Sequence, residues 1–234
     1  MFARIQVIGA GRVGSAVAAR LAERGVAVGA GAPDLVLLCV PDRMIADVAS
    51  DVAVGPWIAH TSGATPLAAL APHARRFGLH PLQTFTQRRG PEQLDGAYAA
   101  VSAESDEAAA AGFELARLLG LEPFALDEAD RAAYHAGAAI ASNYLVTLKR
   151  AAQSLLESAG APPHALDPLI RQTVDNGFEL TGPIERGDWE SVERHLEAIR
   201  AERPEIEDAY RALAVLTALQ AGRVSNSLLQ AGTP

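Results

Sequence analysis

The chain has 234 residues, 49% apolar and 21% charged, with 20 Gly and 14 Pro scattered without a period; this excludes a mainly disordered or fibrous protein. A formal net charge of −8 argues against the broad cationic face that binds nucleic acid by counterion release, so a small-molecule partner is expected. The longest dense aliphatic stretch, Leu35 to Val40, is far short of the roughly 18 apolar residues of a bilayer span. Met1 to Ile5 run straight into a strand pattern, without the layout of a signal peptide. A cytoplasmic protein with no membrane partner is therefore expected. The single cysteine, Cys39, reads as a small buried apolar residue.

In chain order, a strand at Ile5 to Ile8 precedes a helix at Ala16 to Arg24, and strands follow at Val26 to Val28 and Leu35 to Val40. A helix at Ile45 to Val52, a strand at Trp57 to Ala59, a helix from Pro66 to His73 and a strand near Phe77 to Leu79 come next. A strand at Tyr98 to Val101, a helix at Asp106 to Leu119 and a short strand at Pro123 to Leu126 close this half. The alternation predicts βαβ units in a mostly parallel sheet, an α/β fold. From Asp127 onward the pattern is helical: one run reaches about Ser158, stopped by Gly160 and Pro162-Pro163, and three helices follow near 164–179, 188–200 and 204–221, the second N-capped by Asp188. The expected organisation is a sheet domain over 1–127, an all-α domain over 128–224 and a tail over 225–234.

The sharpest motif is Gly9-Ala10-Gly11-Arg12-Val13-Gly14, directly between the first strand and first helix. In that setting Gly9 permits the turn, Gly11 admits a pyrophosphate to the backbone, Gly14 allows close helix–strand packing, and the helix N-terminus faces negative charge. A glycine turn without a ligand is the plainer alternative. Such folds usually place an acid about 20 residues further on to bond the ribose, or an Arg for a 2′-phosphate. Asp34 lies near that distance, but it abuts Leu35 and reads better as the residue that opens the next strand. On that reading the element that grips the adenosine end is cut short.

These residues resemble the Rossmann-like oxidoreductases that carry a helical domain of the 6-phosphogluconate dehydrogenase type, relatives of ketopantoate reductase, prephenate dehydrogenase and pyrroline-5-carboxylate reductase. The marks are the glycine loop, Val40-Pro41-Asp42, His60-Thr61-Ser62-Gly63, Leu79-His80-Pro81-Leu82-Gln83-Thr84-Phe85, Tyr134-His135-Ala136 with Ser142-Asn143, and Leu180-Thr181-Gly182-Pro183-Ile184 with Arg186-Gly187-Asp188. The resemblance implies hydride transfer with NADP or NAD and a homodimer built through the helical domain. Members usually have a longer stretch between the second strand and the strand matching Leu35 to Val40, and this chain lacks it.

Ligands of open parallel sheets sit beyond the carboxyl ends of the strands, where Val40-Pro41, Ser62 and His80 are expected. Gly9, Gly11, Arg12, Val13, Gly14, Val40, Pro41 and Ser62 are the candidate cofactor contacts. His80 is the first candidate for proton transfer, since imidazole titrates near neutral pH; ordering its own loop is the alternative. Ser62 resembles the polar residue that such dehydrogenases place beside the nicotinamide; a helix N-cap is the other reading. Gln83 and Thr84 offer neutral hydrogen bonds to a substrate. His135 and Asn143 lie eight residues apart, about 12 Å along one helix, and could bracket a substrate; packing between helices is the alternative for His135. Thr181, Gly182 and Arg186 suit a loop closing over a site, with Arg186 either binding an anion or pairing with Glu185 or Glu190. Lys149 reads as a surface residue. The histidines show no ligand spacing, so no metal site is expected. The function expected is hydride transfer from NADP or NAD to a small keto acid or imine. The alternative is a degenerate Rossmann protein without catalysis, a nucleotide- or metabolite-binding or scaffold module. Small and apolar residues from Ala132 to Leu156, with Leu166, Leu169, Leu213, Leu216 and Leu219, are more than one sheet domain covers, which also points to a homodimer.

Overall fold

The computed structural model describes residues 2–29 and 31–223. The expected tail over 225–234 lies outside the described residues. The chain divides into two compact units, Met1–Ser142 and Asn143–Pro234.

The first unit is built on seven strands: β1 (Arg4–Ile8), β2 (Ala27–Val28), β3 (Leu35–Leu38), β4 (Trp57–His60), β5 (Arg76–Pro81), β6 (Tyr98–Ala103) and β7 (Glu122–Ala125). They are ordered β2-β1-β3-β4-β5-β6-β7, and every pairing is parallel except β5 with β6. The helices are α1 (Arg12–Glu23), α2 (Ile45–Asp51), α3 (Asp106–Leu119) and α4 (Arg131–Ala139). The unbroken apolar run of β3 is explained by burial on both faces. Leu35 and Leu37 join Val17, Leu21, Leu115 and Phe77 on the side of α1 and α3. Val36 and Leu38 join Ile45, Ala49, Leu67 and Leu70 on the other.

Two expectations change. The segment from Pro66 to His73 forms only a short 3₁₀ stretch, Leu67–Leu70: Pro72 pushes Ala71 to an extended conformation (φ −60°, ψ 145°), which ends any helix there. The compact units divide after Ser142 rather than at 127, so α4, assigned by sequence to the helical domain, belongs to the first unit. The buried Arg131 side chain, at the start of α4, explains this below.

A π-helical turn, Ile140–Tyr144, carries the chain from α4 into α5 (Leu145–Ser158). The second unit continues with α6 (Leu166–Asp175), α7 (Pro183–Arg186), α8 (Trp189–Glu202) and α9 (Glu207–Gln220). Asp188 N-caps α8 as its sequence position suggests, accepting from the Ser191 amide at 3.1 Å. The core of this unit is small: Ile184, Val192, Leu196, Ala214 and Ala218.

Candidate functional site

The chain leaves β1 for β2 on one side and for β3 on the other, so the crevice between their carboxyl ends is the switch point where open α/β sheets bind ligands. The glycine loop stands there, and its three glycines do different things. A Cβ on Gly14 would lie 1.9 Å from the Gly9 carbonyl oxygen, and one on Gly9 2.4 Å from that of Cys39; both serve packing between α1, β1 and β3. A Cβ on Gly11 would meet nothing within 4 Å. Packing does not demand glycine at 11, and its absence of a side chain leaves the backbone there open to close approach. Gly11 is the N-cap of α1 with no side-chain cap, which leaves first-turn amides for an anion. Arg12 is exposed and lines a cavity of about 210 Å³ with Ser15, Thr86, Gln87 and Arg89. Val13 packs against the core, so its side chain is spent on the fold. Val40 packs on the α2 side, and Pro41 turns the chain, its carbonyl accepting from Met44 at 2.8 Å.

Asp34 settles between its two readings. Its Oδ2 accepts from the amides of Ala3 at 2.7 Å and Arg4 at 2.9 Å, and these bonds hold its carboxyl below the usual range. It therefore opens β3 at the amino edge of the sheet, the opposite edge from a ribose site.

At the carboxyl ends of β4 and β5 a buried polar network holds the chain. Arg131, 5% exposed, pairs with Glu128 and donates to the Ser62 carbonyl at 3.3 Å; Glu128 in turn accepts from the Leu67 amide at 3.1 Å. A Cβ on Gly78 would sit 3.3 Å from both Arg131 Nη2 and His60 Cε1, so glycine makes room for the guanidinium. His60 is wholly buried. Its Nδ1 accepts from the Ser62 amide at 3.3 Å and its Nε2 finds no partner among the described residues. Burial, reinforced by the Arg131 charge, lowers its pKa to about 4. The buried Ser62 takes the capping role in its turn: Oγ accepts from the amides of Ala64 at 3.2 Å and Thr65 at 2.9 Å.

His80 lies 2.6 Å, Nδ1 to Oη, from Tyr134, and its ring meets that of His135 edge-on with centroids 6.2 Å apart. A Cβ on Gly63 would come within 2.9 Å of both His80 Cε1 and His135 Cδ2, so these two histidines close over the β4 loop. Burial, with smaller contributions from the charges of His135 and Arg131, pushes the His80 pKa down to about 4. Burial raises the Tyr134 hydroxyl to about 12. The imidazole expected to titrate near neutrality is therefore neutral at pH 7, because the expectation took no account of desolvation. Gln83 and Thr84 are engaged with their own loop: the Gln83 amide nitrogen donates to the Gln93 carbonyl and Oε1 accepts from the Thr84 amide.

The candidates Asn143, Thr181, Gly182 and Arg186 belong to the second unit. Asn143 lies exposed in the π-helical turn, its carbonyl accepting from the Thr147 hydroxyl at 3.3 Å. Gly182 N-caps α7, and Arg186 donates to the Thr181 carbonyl at 2.7 Å rather than pairing with Glu185 or Glu190. Lys149 bonds Asp167 at 2.6 Å. Sequence reasoning did not single out His60, Glu128, Arg131 or Tyr134 as site residues; the available signal was a Glu and an Arg three apart where an alanine-rich helix begins. Among the described residues no group of three or more His, Cys, Asp or Glu could hold a metal ion, and no helix is long and apolar enough to cross a membrane.

The family model described as Domain of unknown function (DUF2520) matches residues 97–217, just over half of the chain. Among proteins of curated function none matches in sequence. Solved structures share the fold: BF3122 from Bacteroides fragilis, described as a presumed NADP oxidoreductase, has a TM-score of 0.77 at 21% identity over 92% of this chain and 98% of its own. Protein TM1727 from Thermotoga maritima has a TM-score of 0.74 at 22% identity, covering 93% and 97%. A reductive aminase from Aspergillus terreus, in complex with NADPH and ethyl levulinate, has a TM-score of 0.64 at 17% identity over 100% of both chains. The expected Rossmann-like sheet followed by helices is thus the observed fold.

The two depressed histidines predict an acid-sensitive fold. His60 and His80 stay neutral in the folded protein down to about pH 4, whereas in the unfolded chain they take up protons below about 6.5. The unfolded state binds more protons across that window, so stability falls as the pH is lowered through it. The thermal midpoint should drop between about pH 7 and 5, and His60→Gln should flatten the dependence. A midpoint that stays level over that range in the parent protein contradicts the burial argument.

Proposed function

The chain belongs to the DUF2520 family, and we propose that it is a cytoplasmic oxidoreductase that uses NADP or NAD to reduce a small keto acid or imine. The observation that carries this reading is the hydrogen bond between His80 and Tyr134 on the sheet edge that also bears the open Gly11 position. The names of the structural neighbours, a presumed NADP oxidoreductase and a reductive aminase bound to NADPH, support the same chemistry. A reduced nicotinamide, when bound, supplies a hydride to the substrate carbon. The glycine-loop amides and the start of α1 hold the cofactor's phosphates, with Arg12 beside them. Ser62 offers its hydroxyl proton to the nicotinamide or substrate.

The proton comes from the Tyr134–His80 pair. With neutral His80 donating Nδ1–H to Tyr134 Oη, the phenol's own proton is free to pass to the substrate oxygen or nitrogen as that atom gains negative charge. The phenolate left behind keeps the His80 hydrogen bond and is reprotonated from water. A phenol of pKa about 12 is a far stronger acid than an alcohol or amine, so transfer runs towards product. His135 stands edge-on to the His80 ring beside this pair.

One observation favours the second reading, a binding or scaffold module without catalysis: β2 has only two residues and Asp34 is engaged elsewhere. Titration with NADPH and NADH decides first. Saturable binding is expected, and Gly11→Val should abolish it while leaving the thermal midpoint within a few degrees of the parent. Tyr134→Phe and His80→Ala should each lower kcat on the order of 10²-fold with little change in cofactor affinity. No saturable binding up to millimolar cofactor overturns the proposal, and binding without turnover on any keto acid or imine favours the second reading.

A homodimer through the second unit is also proposed. That unit leaves Leu169 62%, Phe178 65%, Leu216 52% and Leu219 59% exposed, large apolar side chains that a second copy would cover. Phe178 holds a left-handed φ of 62°, a strained conformation for a bulky residue that a partner's contact would offset. Sedimentation equilibrium at micromolar concentration should give twice the chain mass; a single monomeric species contradicts the dimer.

A further inference from the structure

We infer that this protein recognises only the mononucleotide half of a nicotinamide dinucleotide, so that it binds reduced nicotinamide mononucleotide about as well as NADH or NADPH and does not tell those two apart. The inference rests on the oxidoreductase reading and concerns what holds each end of the cofactor.

Dinucleotide folds grip the adenosine ribose at the carboxyl end of the second strand, with an acid for its hydroxyls or an Arg for a 2′-phosphate. Among the described residues no part of β2 reaches that position. β2 pairs with β1 only at Arg4 and Ile5, and the bond from the Gly29 amide to the Ile5 carbonyl is made three residues short of Ile8, roughly 10 Å below the edge where the glycine loop starts. By Asp34, whose amide bonds the Arg4 carbonyl, the chain is already back at the amino edge. Residues 29 to 33 are Gly-Ala-Gly-Ala-Pro, so no side chain between β2 and Asp34 can bond a hydroxyl or a phosphate. Asp34 itself is committed to the Ala3 and Arg4 amides. β2 is the edge strand, and among the described residues no further strand lies outside it.

The other end of the crevice is provided for. Gly11 is open to a ligand, α1 presents its uncapped first turn, and Arg12 stands at its start. That is a phosphate's environment. The adenosine would add a base and a sugar against a two-residue edge strand and a loop whose own side chains carry no polar group; the cation beside that loop, Arg4, reaches Gly31 from the amino end of β1.

The test is direct binding to the full chain of three probes, NADPH, NADH and reduced nicotinamide mononucleotide, followed by nicotinamide fluorescence or calorimetry. Dissociation constants within about tenfold of one another are expected, with no displacement by adenosine 2′,5′-bisphosphate. Either dinucleotide binding more than tenfold tighter than the mononucleotide overturns the inference while leaving the oxidoreductase reading intact. NADPH binding more than tenfold tighter than NADH also overturns it, and would show that the cavity of Arg12 and Arg89 reads a 2′-phosphate. If none of the three saturates, it is the oxidoreductase reading that falls.

Discussion

The Arg131 guanidinium is the constraint on which the candidate site depends. A buried charge left unpaired costs several kcal/mol, so burying this one at 5% exposure obliges its neighbours to answer it. Glu128 supplies the counter-charge, the Ser62 carbonyl accepts, and Gly78 gives up its side chain. The first turn of α4 is thereby fastened to the loop after β4. Residues three and four further along a helix share a face, so pinning Arg131 turns Tyr134 and His135 towards His80. The same attachment draws α4 into the first unit.

Much of this fold is legible in the sequence because its signals are local. The unbroken apolar run at Leu35 to Leu38 announces a strand covered on both faces, and the glycine loop is recognisable between a strand and a helix. Asp34 could be read correctly because a charge that abuts such a run has more to do at the strand's start than at a distant ribose. Asp188 declares its helix by capping it. The helix expected from Pro66 failed because apolar spacing was weighed without the restraint that Pro72 places on Ala71.

The parts of the site that were not legible depend on contacts between distant segments. His80 was found as a histidine at a strand end, but its neutral state follows first from burial and then from the charges of His135 and Arg131, and its hydrogen-bond partner is Tyr134, all more than fifty residues away in sequence. Tyr134 carries no signal of its own in an alanine-rich helix. Ser62 had two readings, and only the positions of the Ala64 and Thr65 amides show that its oxygen serves the turn. The sheet edge as a whole is asymmetric: the open Gly11 position and the His80–Tyr134 hydrogen bond are at one part of it, a strand of two residues at the other.

The central claim is that anchoring α4 holds His80 as a neutral imidazole bonded to Tyr134 near neutral pH. An NMR titration of the histidine ring nitrogens and carbons in the parent protein measures this directly. The account predicts that the His80 ring stays neutral down to a pKa of about 4, with one nitrogen carrying the chemical shift of a hydrogen-bonded partner. A His80 that titrates near 6.5, as a solvated imidazole does, would contradict it.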